Sequence, residues 1–479
     1  MKARRIDPPS RRKFIGASAA GIGAAITSGL PGISRGRRQA YAAAPAARVV
    51  DPELVEFEKA GIDWKQASGE QITVMVIPAL YFRIAQELSP QFTKLTGVQV
   101  AWQVIPPVQM REKHVLDLST KTGQFATVAT DPQYYPLYAV NKWVDELAPY
   151  LDDPKLTNKE WLNLKDIFPV WLESTSHDGK LYGLPFDGEA TLLLYRSDLY
   201  KAKNISVPQT FDELHEAARK LHDPANNFFG GNFGYHIRLI NMFIWPSIFR
   251  AYGGEWFDKA GNPTVNSKES IEATTFYVDY LTKFAPPGVA NWNWPESLDA
   301  FINGRLAQTF MGGSTIPVAA NPAKSKVVGK FGVGRWPKGP AGKRVTAVWN
   351  WSFPINAAIS PKTKKATWLW IQWMCSHHMQ VQSSYEYKGK EESRASVNRM
   401  SIWADERYRK SVEIAPGFSQ IVLTSIREDG DVHWRPRVPQ WPELANILGI
   451  QLHRALAKQA TPKEALDEAN VKIAELMKR

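Results

Sequence analysis

Residues 71–104, QITVMVIPALYFRIAQELSPQFTKLTGVQVAWQV, decide the fold of this chain. Residues 71–77 form a short apolar run rich in β-branched side chains, and Pro78 stops it, which predicts a buried strand. Apolar residues then recur at helical spacing up to Gly97, and residues 98–104 alternate as a second strand. A strand, a helix and a strand in one short segment form a βαβ unit, which predicts a parallel sheet in an α/β domain.

Later segments continue this alternation of strands and helices. Residues 192–195, LLLY, predict a short buried strand. Ser360 and Pro361 are typical of a helix N-cap and first turn, and residues 461–464, TPKE, form a capping box before a second helix. The first of these helices carries three tryptophans that we interpret as core residues: Trp368, Trp370 and Trp373.

The first 44 residues form a predicted export signal. Arg11 and Arg12 precede an uncharged Ala- and Gly-rich stretch, and residues 40–42, AYA, suit a signal peptidase. The paired arginines predict a twin-arginine-type signal and a periplasmic protein. The alternative, an uncleaved membrane anchor, typically needs about 20 strongly apolar residues, and this stretch is only weakly apolar.

The signal also explains most of the positive charge. The chain carries a net charge of +12, of which residues 1–44 supply +8, with nine Lys or Arg against one Asp. The remaining +4 gives no reason to expect a nucleic-acid partner. Cys375 is the only cysteine, which excludes an intrachain disulfide and a thiolate metal cluster.

The chain beyond the signal is long enough for two domains, because one hydrophobic core stops growing at about 250–300 residues. Residues 45–69 are read as a polar lead-in to the first domain. No phosphate-binding loop, zinc-protease motif, EF-hand or Gly-x-Ser-x-Gly elbow occurs in the sequence. We therefore predict a protein that is not an enzyme and that uses no metal or cofactor.

The aromatic residues point to a different chemistry. The chain has 18 tryptophans, and residues 131–135, 292–294 and 349–351 each place aromatic side chains beside polar ones in segments that resemble loops. Sugars and polyols present apolar C–H faces edged with hydroxyls, so a site for them needs flat aromatic rings and several hydrogen-bonding groups. These segments are candidates for such a site.

An ordered series of motifs gives the chain a family resemblance. The motifs are YGLPF at 182–186, LYRSDLY at 194–200, GGEWFD at 253–258, FINGRLAQ at 301–308, RWPKGP at 335–340, PINAAIS at 354–360 and TPKEAL at 461–466. In this order they make the chain similar to the extracellular solute-binding proteins of ABC transporters, in the group that includes maltose and polyol binders. The resemblance extends through nearly all of residues 70–479.

The resemblance implies a two-lobed α/β fold of the type II-like periplasmic binding class, with a ligand cleft between lobes joined by hinge-crossing segments. The lobes it implies are residues 70–186 with 351–395, and residues 187–350 with 396–479. The crossings are expected near residues 186–189 and 349–351.

The resemblance also implies the residues that line the cleft. Glu189 would accept hydrogen bonds from ligand hydroxyls, and the segment Asp187-Gly188-Glu189 is similar to the GES of polyol binders, although Ala190 replaces the serine. One of the two tryptophans at 349 and 351 would stack on the ligand. The full implied set is Asp131, Tyr134, Asp187, Glu189, Gly313, Ser314, Trp349, Trp351, Arg394 and Trp441.

The function implied is that of the substrate-binding component of an ABC importer. Such a protein captures a sugar or polyol in the periplasm and delivers it to the membrane permease, acting as a monomer. Two alternatives stay open. The first is an exported glycoside hydrolase, in which Glu189 and a second acid would be the paired carboxylates. The second is a periplasmic scaffold whose tryptophans form a protein interface.

Overall fold

The computed structural model describes residues 51–237, 240–385 and 394–479. The predicted signal, residues 1–44, lies outside these ranges. Within them the strands are β1 (Gln71–Val76), β2 (Gln99–Val104), β3 (Thr127–Val128), β4 (Ser176–His177), β5 (Lys180–Leu181), β6 (Leu184–Pro185), β7 (Glu189–Tyr195), β8 (Gln308–Gly312), β9 (Gly332–Gly334), β10 (Val348–Trp349) and β11 (Ser352–Phe353).

More of the described residues lie in helices than in strands. They are α1 (Val55–Glu58), α2 (Leu80–Thr96), α3 (Pro107–Thr120), α4 (Tyr135–Val140), α5 (Ala148–Asp152), α6 (Lys159–Leu162), α7 (Pro169–Ser174), α8 (Ser197–Ala202), α9 (Phe211–Leu221), α10 (Trp245–Ala251), α11 (Lys268–Phe284), α12 (Trp294–Ile302), α13 (Pro361–Cys375), α14 (His377–Ser383), α15 (Met400–Ala404), α16 (Glu406–Val412), α17 (Phe418–Thr424), α18 (Trp441–Leu456) and α19 (Pro462–Leu476). In this part of the chain, no helix combines the length and the apolar character that a membrane span requires.

The predicted βαβ unit is confirmed. Strand β1 pairs in parallel with β2 on one side and with β3 on the other, and α2 connects β1 to β2. Helix α2 ends at Gly97, whose φ of +74° is a left-handed conformation that favours glycine. A Cβ at Gly97 would also collide with the side chain of Ser68.

A second sheet is built around β7. The strand pairs antiparallel with β8 along residues 191–195, with β9 along residues 193–195 and with β10 at its first two residues. The predicted strand at 192–195 is therefore confirmed, but β7 begins three residues earlier, at Glu189. Its central residues, 190–194, are all buried, which explains the continuous apolar run in the sequence.

Two paired segments connect the regions of the two sheets. Strand β6 pairs antiparallel with β11, and Ser352 of β11 forms a bridge to Thr130 just beyond β3. Strand β6 ends at Pro185, and β7 begins four residues later at Glu189. Strand β10 ends at Trp349, and β11 begins three residues later at Ser352. The segments around residues 185–189 and 349–352 therefore lie side by side.

The described residues bury two large apolar clusters. One contains α13, whose Trp368, Trp370 and Trp373 are fully buried, as predicted. The other contains α11, α18 and α19. Both predicted helix starts are confirmed: the Ser360 side chain accepts from a backbone N–H of α13, and Thr461 forms a capping box with Glu464.

The lead-in differs from the expectation of a polar segment. Phe57 and Trp64 are buried in the first cluster, where Phe57 contacts Trp373 with ring centroids 6.4 Å apart. The indole Nε1 of Trp64 donates to the carbonyl oxygen of Phe57 at 2.9 Å. Sparse apolar residues in a polar stretch therefore still anchor this segment to the core.

Candidate functional site

The two paired crossing segments bring the main candidate residues together. The backbone N–H of Phe186 donates to the carbonyl oxygen of Trp351 at 2.8 Å. In return the backbone N–H of Trp351 donates to Oδ1 of Asp187. One step further along, Trp349 of β10 is the register partner of Glu189 of β7. Two carboxylates and two indoles, separated by about 160 residues in the chain, thus share one locus.

Glu189 is held in place by the turn that follows β8. The backbone N–H of Ser314 donates to Glu189 Oε2 at 2.9 Å. Burial raises the pKa of Glu189, and the hydrogen bonds from Ser314 act in the opposite direction because they favour the charged form. The side chain is half-buried, so the carboxylate combines a fixed position with access to a small molecule.

The glycines next to Ser314 have unequal roles. A Cβ at Gly312 would lie 2.9 Å from Glu189 Oε2, so glycine leaves the carboxylate its position. A Cβ at Gly313 would make only ordinary contacts, 3.7 Å from the carbonyl oxygens of Ala190 and Ala395. The close approach expected of this turn therefore occurs at Gly312 rather than at the predicted site residue Gly313.

Asp187 is the most deeply placed acid of the locus. Its side chain is buried, and burial raises its pKa to about 8. The nearby Arg394 guanidinium acts against this rise in pKa, and the negative charge of Glu189 adds to it. Near neutral pH Asp187 therefore titrates, and its carboxyl group can serve either as a hydrogen-bond donor or as an acceptor.

Arg394 supports the crossing segment from behind. It is buried, donates to the Phe186 carbonyl oxygen at 2.6 Å and to Ser383 Oγ at 3.0 Å, and lies 3.9 Å above the centre of the Phe186 ring. Its donors are thus used by the protein itself. The structure places this predicted site residue beside Asp187 and gives it a positioning role.

Trp349 and Trp351 form a perpendicular aromatic pair, with centroids 5.5 Å apart and an interplanar angle of 86°. Phe243 packs against Trp349 at 4.6 Å. The guanidinium carbon of Arg111 lies 6.0 Å from the Trp349 ring centre and 5.8 Å from that of Trp351. The rings are therefore fixed by aromatic neighbours and share one cation.

Asp131 and Tyr134 follow the end of β3 and join this arrangement. Asp131 caps a short 3₁₀ helix by accepting from the Gln133 backbone N–H at 3.0 Å, and its Oδ2 lies 3.3 Å from Arg111 Nη2. Burial raises the pKa of Tyr134 to about 12, and the charges of Arg111 and Asp131 act on the same hydroxyl. Both predicted residues thus face the cation beside the tryptophans.

No motif in the sequence indicated Arg435 as a site residue. Its guanidinium carbon lies 4.1 Å from the ring centre of Trp434, 4.2 Å from that of Phe243 and 5.4 Å from that of Trp349. Its Nε donates to the carbonyl oxygen of Met242 at 2.8 Å. Burial lowers the pKa of Arg435 to about 9.

Trp441 lies one layer behind the other candidates. The guanidinium of Arg435 is 5.2 Å from its ring centre, and Trp256 packs against it edge to face at 6.3 Å. Trp441 begins α18 and is buried in the second apolar cluster. The structure therefore assigns it to the support of Arg435 and does not bring it together with Glu189.

Three more residues of the locus were not predicted from the sequence: Arg111 on α3, Tyr235 and Phe243. The Tyr235 hydroxyl accepts from the Gly312 backbone N–H at 3.3 Å and its ring stacks on Phe243 at 5.7 Å. None of these residues stands in a motif. The one available signal was Arg435 between Trp434 and a proline, a cation beside an indole.

The chemistry of the locus is that of hydrogen bonding and ring contact. It offers carboxylates that accept from hydroxyls, indoles that cover C–H faces and guanidinium donors. In the described ranges no group of three or more His, Cys, Asp or Glu is placed to hold a metal ion.

Two sheets joined by paired crossing segments, with polar and aromatic groups converging where the segments meet, define a two-lobed α/β binding protein. The chain belongs to the family of bacterial extracellular solute-binding proteins, whose sequence profile matches residues 81–381.

Relatives and solved structures agree with this assignment. The chain is 27% identical over 428 residues to a probable amino-acid ABC transporter periplasmic-binding protein of Sinorhizobium fredii, covering 87% of this chain and 91% of the relative. It is 25% identical over 415 residues to a mannitol-binding protein of Pseudomonas aeruginosa, covering 82% and 90%.

A crystal structure of an ABC transporter solute-binding protein from Agrobacterium radiobacter K84, in complex with ribitol, superposes with a TM-score of 0.77 at 28% identity. The match covers 86% of this chain and 99% of that chain. The predicted two-lobed periplasmic binding fold is thereby confirmed.

Proposed function

We propose that this chain is the substrate-binding component of an ABC importer and that it captures a sugar or polyol outside the cytoplasm. The observation that carries the proposal is the meeting of Asp187 and Glu189 with Trp349 and Trp351 at the paired crossing segments. A mannitol-binding relative, and a solved structure that holds ribitol, support a polyhydroxylated ligand.

Each group has a distinct task in this proposal. Glu189 and Asp187 accept hydrogen bonds from ligand hydroxyls, and Asp131 and Tyr134 form the facing wall. Trp349 or Trp351 covers the C–H face of the ligand. A site built to pair with hydroxyls rejects analogues that lack them, because its own polar groups would be left unpaired.

The lobes are proposed to be residues 70–186 with 351–395, and residues 187–350 with 396–479. Ligand held from both lobes favours the closed form, since contacts to each lobe form together only on closure. The crossing segments carry both the hinge and the binding groups, so binding and closure are coupled. The closed form is then presented to the membrane permease.

The remaining parts of the proposal concern delivery. The chain is proposed to be exported through the twin-arginine-type signal in residues 1–44, to act in the periplasm as a monomer, and to need neither cofactor nor nucleic acid. It binds its ligand without chemical conversion. Incubation with aryl glycosides distinguishes a binding protein from the alternative, a glycoside hydrolase, because only a hydrolase releases the aryl alcohol.

Thermal unfolding of the full chain against monosaccharides, disaccharides and sugar alcohols tests the proposal. Ligand at 100 times its Kd stabilises a fold by about 2.7 kcal/mol. At roughly 2–4 °C per kcal/mol for a fold of this size, the expected shift is several degrees for one group of related compounds. Mass spectrometry of the denatured protein identifies any ligand carried through purification. A flat panel with no carried ligand contradicts the proposal.

A further inference from the structure

Two arginines flank one indole in the candidate site. The guanidinium carbon of Arg435 lies 5.4 Å from the Trp349 ring centre, and that of Arg111 lies 6.0 Å from the same point. Arg435 is buried and Arg111 is half-buried. Both positive charges therefore lie near the same indole, and the charge of Arg111 helps to lower the pKa of Arg435, which burial lowers most.

One carboxylate in the described residues is placed to offset these charges. Asp131 Oδ2 lies 3.3 Å from Arg111 Nη2. Arg435 has no carboxylate partner in residues 51–237, 240–385 and 394–479; it donates from Nε to the Met242 carbonyl oxygen. In the same part of the chain, Nε of Arg111 is buried and has no acceptor. The group of three side chains thus carries one uncompensated positive charge and has unused donors.

Arg435 is held rigidly although it lacks an ionic partner. Four aromatic rings surround its guanidinium, with the nearest ring centres, those of Trp434 and Phe243, at 4.1 and 4.2 Å. The Nε bond to Met242 fixes the rotation of the planar group. A guanidinium fixed in this way presents its two terminal nitrogens in the fork that matches a carboxylate.

The other acids of the locus are Asp187 and Glu189. Asp187 and Glu189 belong to the crossing segment, where they meet Trp351 and the backbone of Ser314. The crossing segment therefore offers acceptors for hydroxyls, and the two arginines offer donors with a net positive charge. A neutral polyol would use the acceptors and leave that positive charge uncompensated.

We propose that the ligand is a polyhydroxylated acid, an aldonate or a uronate, whose single carboxylate is bound by Arg435 and Arg111. This inference rests on the proposed function and names its substrate class. Since Asp131 leaves the arginines one net positive charge, a singly charged carboxylate fits the site better than a phosphate dianion. Arg435 and Arg111 then determine the preference for acid over polyol.

Calorimetric titration of the full chain with D-mannitol and D-mannonate tests the inference, because the two share chain length and hydroxyl configuration. We expect D-mannonate to bind at least tenfold more tightly. Mannitol 1-phosphate, the dianionic probe, should bind more weakly than D-mannonate. The preference for D-mannonate over D-mannitol should decrease as salt is added, because charge attraction at a partly open site is screened.

Variants assign the preference to the arginines. Arg435→Gln should lower the ratio of D-mannitol Kd to D-mannonate Kd to near one, and Arg435→Lys should restore part of it. Arg111→Gln, at a half-buried position, provides the same readout if Arg435→Gln does not fold. The matched control is Arg219→Gln, an exposed arginine paired with Glu216 on α9, which should leave the ratio unchanged.

The outcomes separate the two proposals. D-mannitol binding as tightly as D-mannonate, or a ratio unchanged in the Arg435 and Arg111 variants, overturns this inference and leaves the proposed function standing. Tighter binding of mannitol 1-phosphate than of D-mannonate also overturns it. Absence of binding by every acid, polyol and sugar contradicts both.

Discussion

The backbone N–H of Ser314 donates a 2.9 Å hydrogen bond to Oε2 of Glu189. This bond joins the turn after β8 to the first residue of β7, and it fixes the carboxylate beside Trp349, its register partner. A single backbone donor thus aims the acid on which the proposed ligand recognition depends.

Loss of the Glu189 charge should weaken ligand binding directly. Glu189→Gln keeps an oxygen that can accept from Ser314 but loses the charge that strengthens hydrogen bonds to hydroxyls. Hydrogen bonds to charged groups contribute about 1.5–3 kcal/mol, so Kd should rise about tenfold or more by calorimetry. Glu475→Gln on the exposed side of α19 is the control. A change within twofold in Glu189→Gln or Glu189→Ala would contradict the assignment.

Gly312 and Gly313 offer a matched pair of substitutions next to this bond. Gly312→Ala places a Cβ 2.9 Å from the present position of Glu189 Oε2. The carboxylate must therefore move, and ligand binding should weaken severalfold. Gly313→Ala meets only contacts of 3.7 Å or more and should bind as wild type does. Titrations of the two variants with the same ligand check this. Equal affinities would show that the carboxylate position is unimportant.

Asp187 should give ligand-free protein an unusual pH dependence. Its folded pKa of about 8 lies above its unfolded value of 3.8. Between these values the folded chain keeps a proton that the unfolded chain has lost, so the free energy of unfolding falls as pH rises, by about 1.4 kcal/mol per pH unit for this group. Above about pH 8 the folded chain has lost this proton too, so Asp187 no longer makes the free energy of unfolding depend on pH.

Urea unfolding at pH 5, 6, 7 and 8 measures this effect in wild type and in Asp187→Asn. The asparagine keeps an oxygen that can accept from the Trp351 backbone N–H, so it removes the titration with little change in shape. The wild type should lose more stability than the variant across this range. Parallel pH profiles would mean that Asp187 is charged throughout.

Gly188 should be intolerant of any side chain for reasons of packing. A Cβ there would collide with the indole of Trp171, which is fully buried in the first apolar cluster. Overpacking of this kind costs about 1–3 kcal/mol, so Gly188→Ala should unfold at lower temperature by calorimetry. Gly313→Ala serves as the control. A Gly188→Ala protein as stable as wild type would mean that the crossing segment yields easily.

Local signals in the sequence predicted much of the fold. The β1–α2–β2 unit, the caps at Ser360 and Thr461 and the buried tryptophans of α13 depend on spacing and on neighbours within a few residues. The lead-in was harder, because Phe57 and Trp64 are scattered in a polar stretch and are buried only by contacts with distant residues.

The candidate site was predictable in part for the same reason. Glu189 stands in a segment similar to the GES of polyol binders and Trp349 in an aromatic segment, and the two are register partners in the structure. Arg435 reaches the site through contacts with rings far away in sequence, such as Phe243, and no local pattern encodes such an arrangement. Trp441 shows the converse: the family resemblance implies a cleft residue, and in the structure its ring packs beside Arg435.

A crystal structure of the full chain with its tightest-binding compound would show directly whether Glu189 and the tryptophans hold the ligand. We expect ligand hydroxyls within about 2.5–3.0 Å of the carboxylate oxygens of Glu189, with ligand carbons against the ring of Trp349 or Trp351. A ligand bound away from the crossing segments, or one that leaves Glu189 bonded to Ser314 alone, would contradict it.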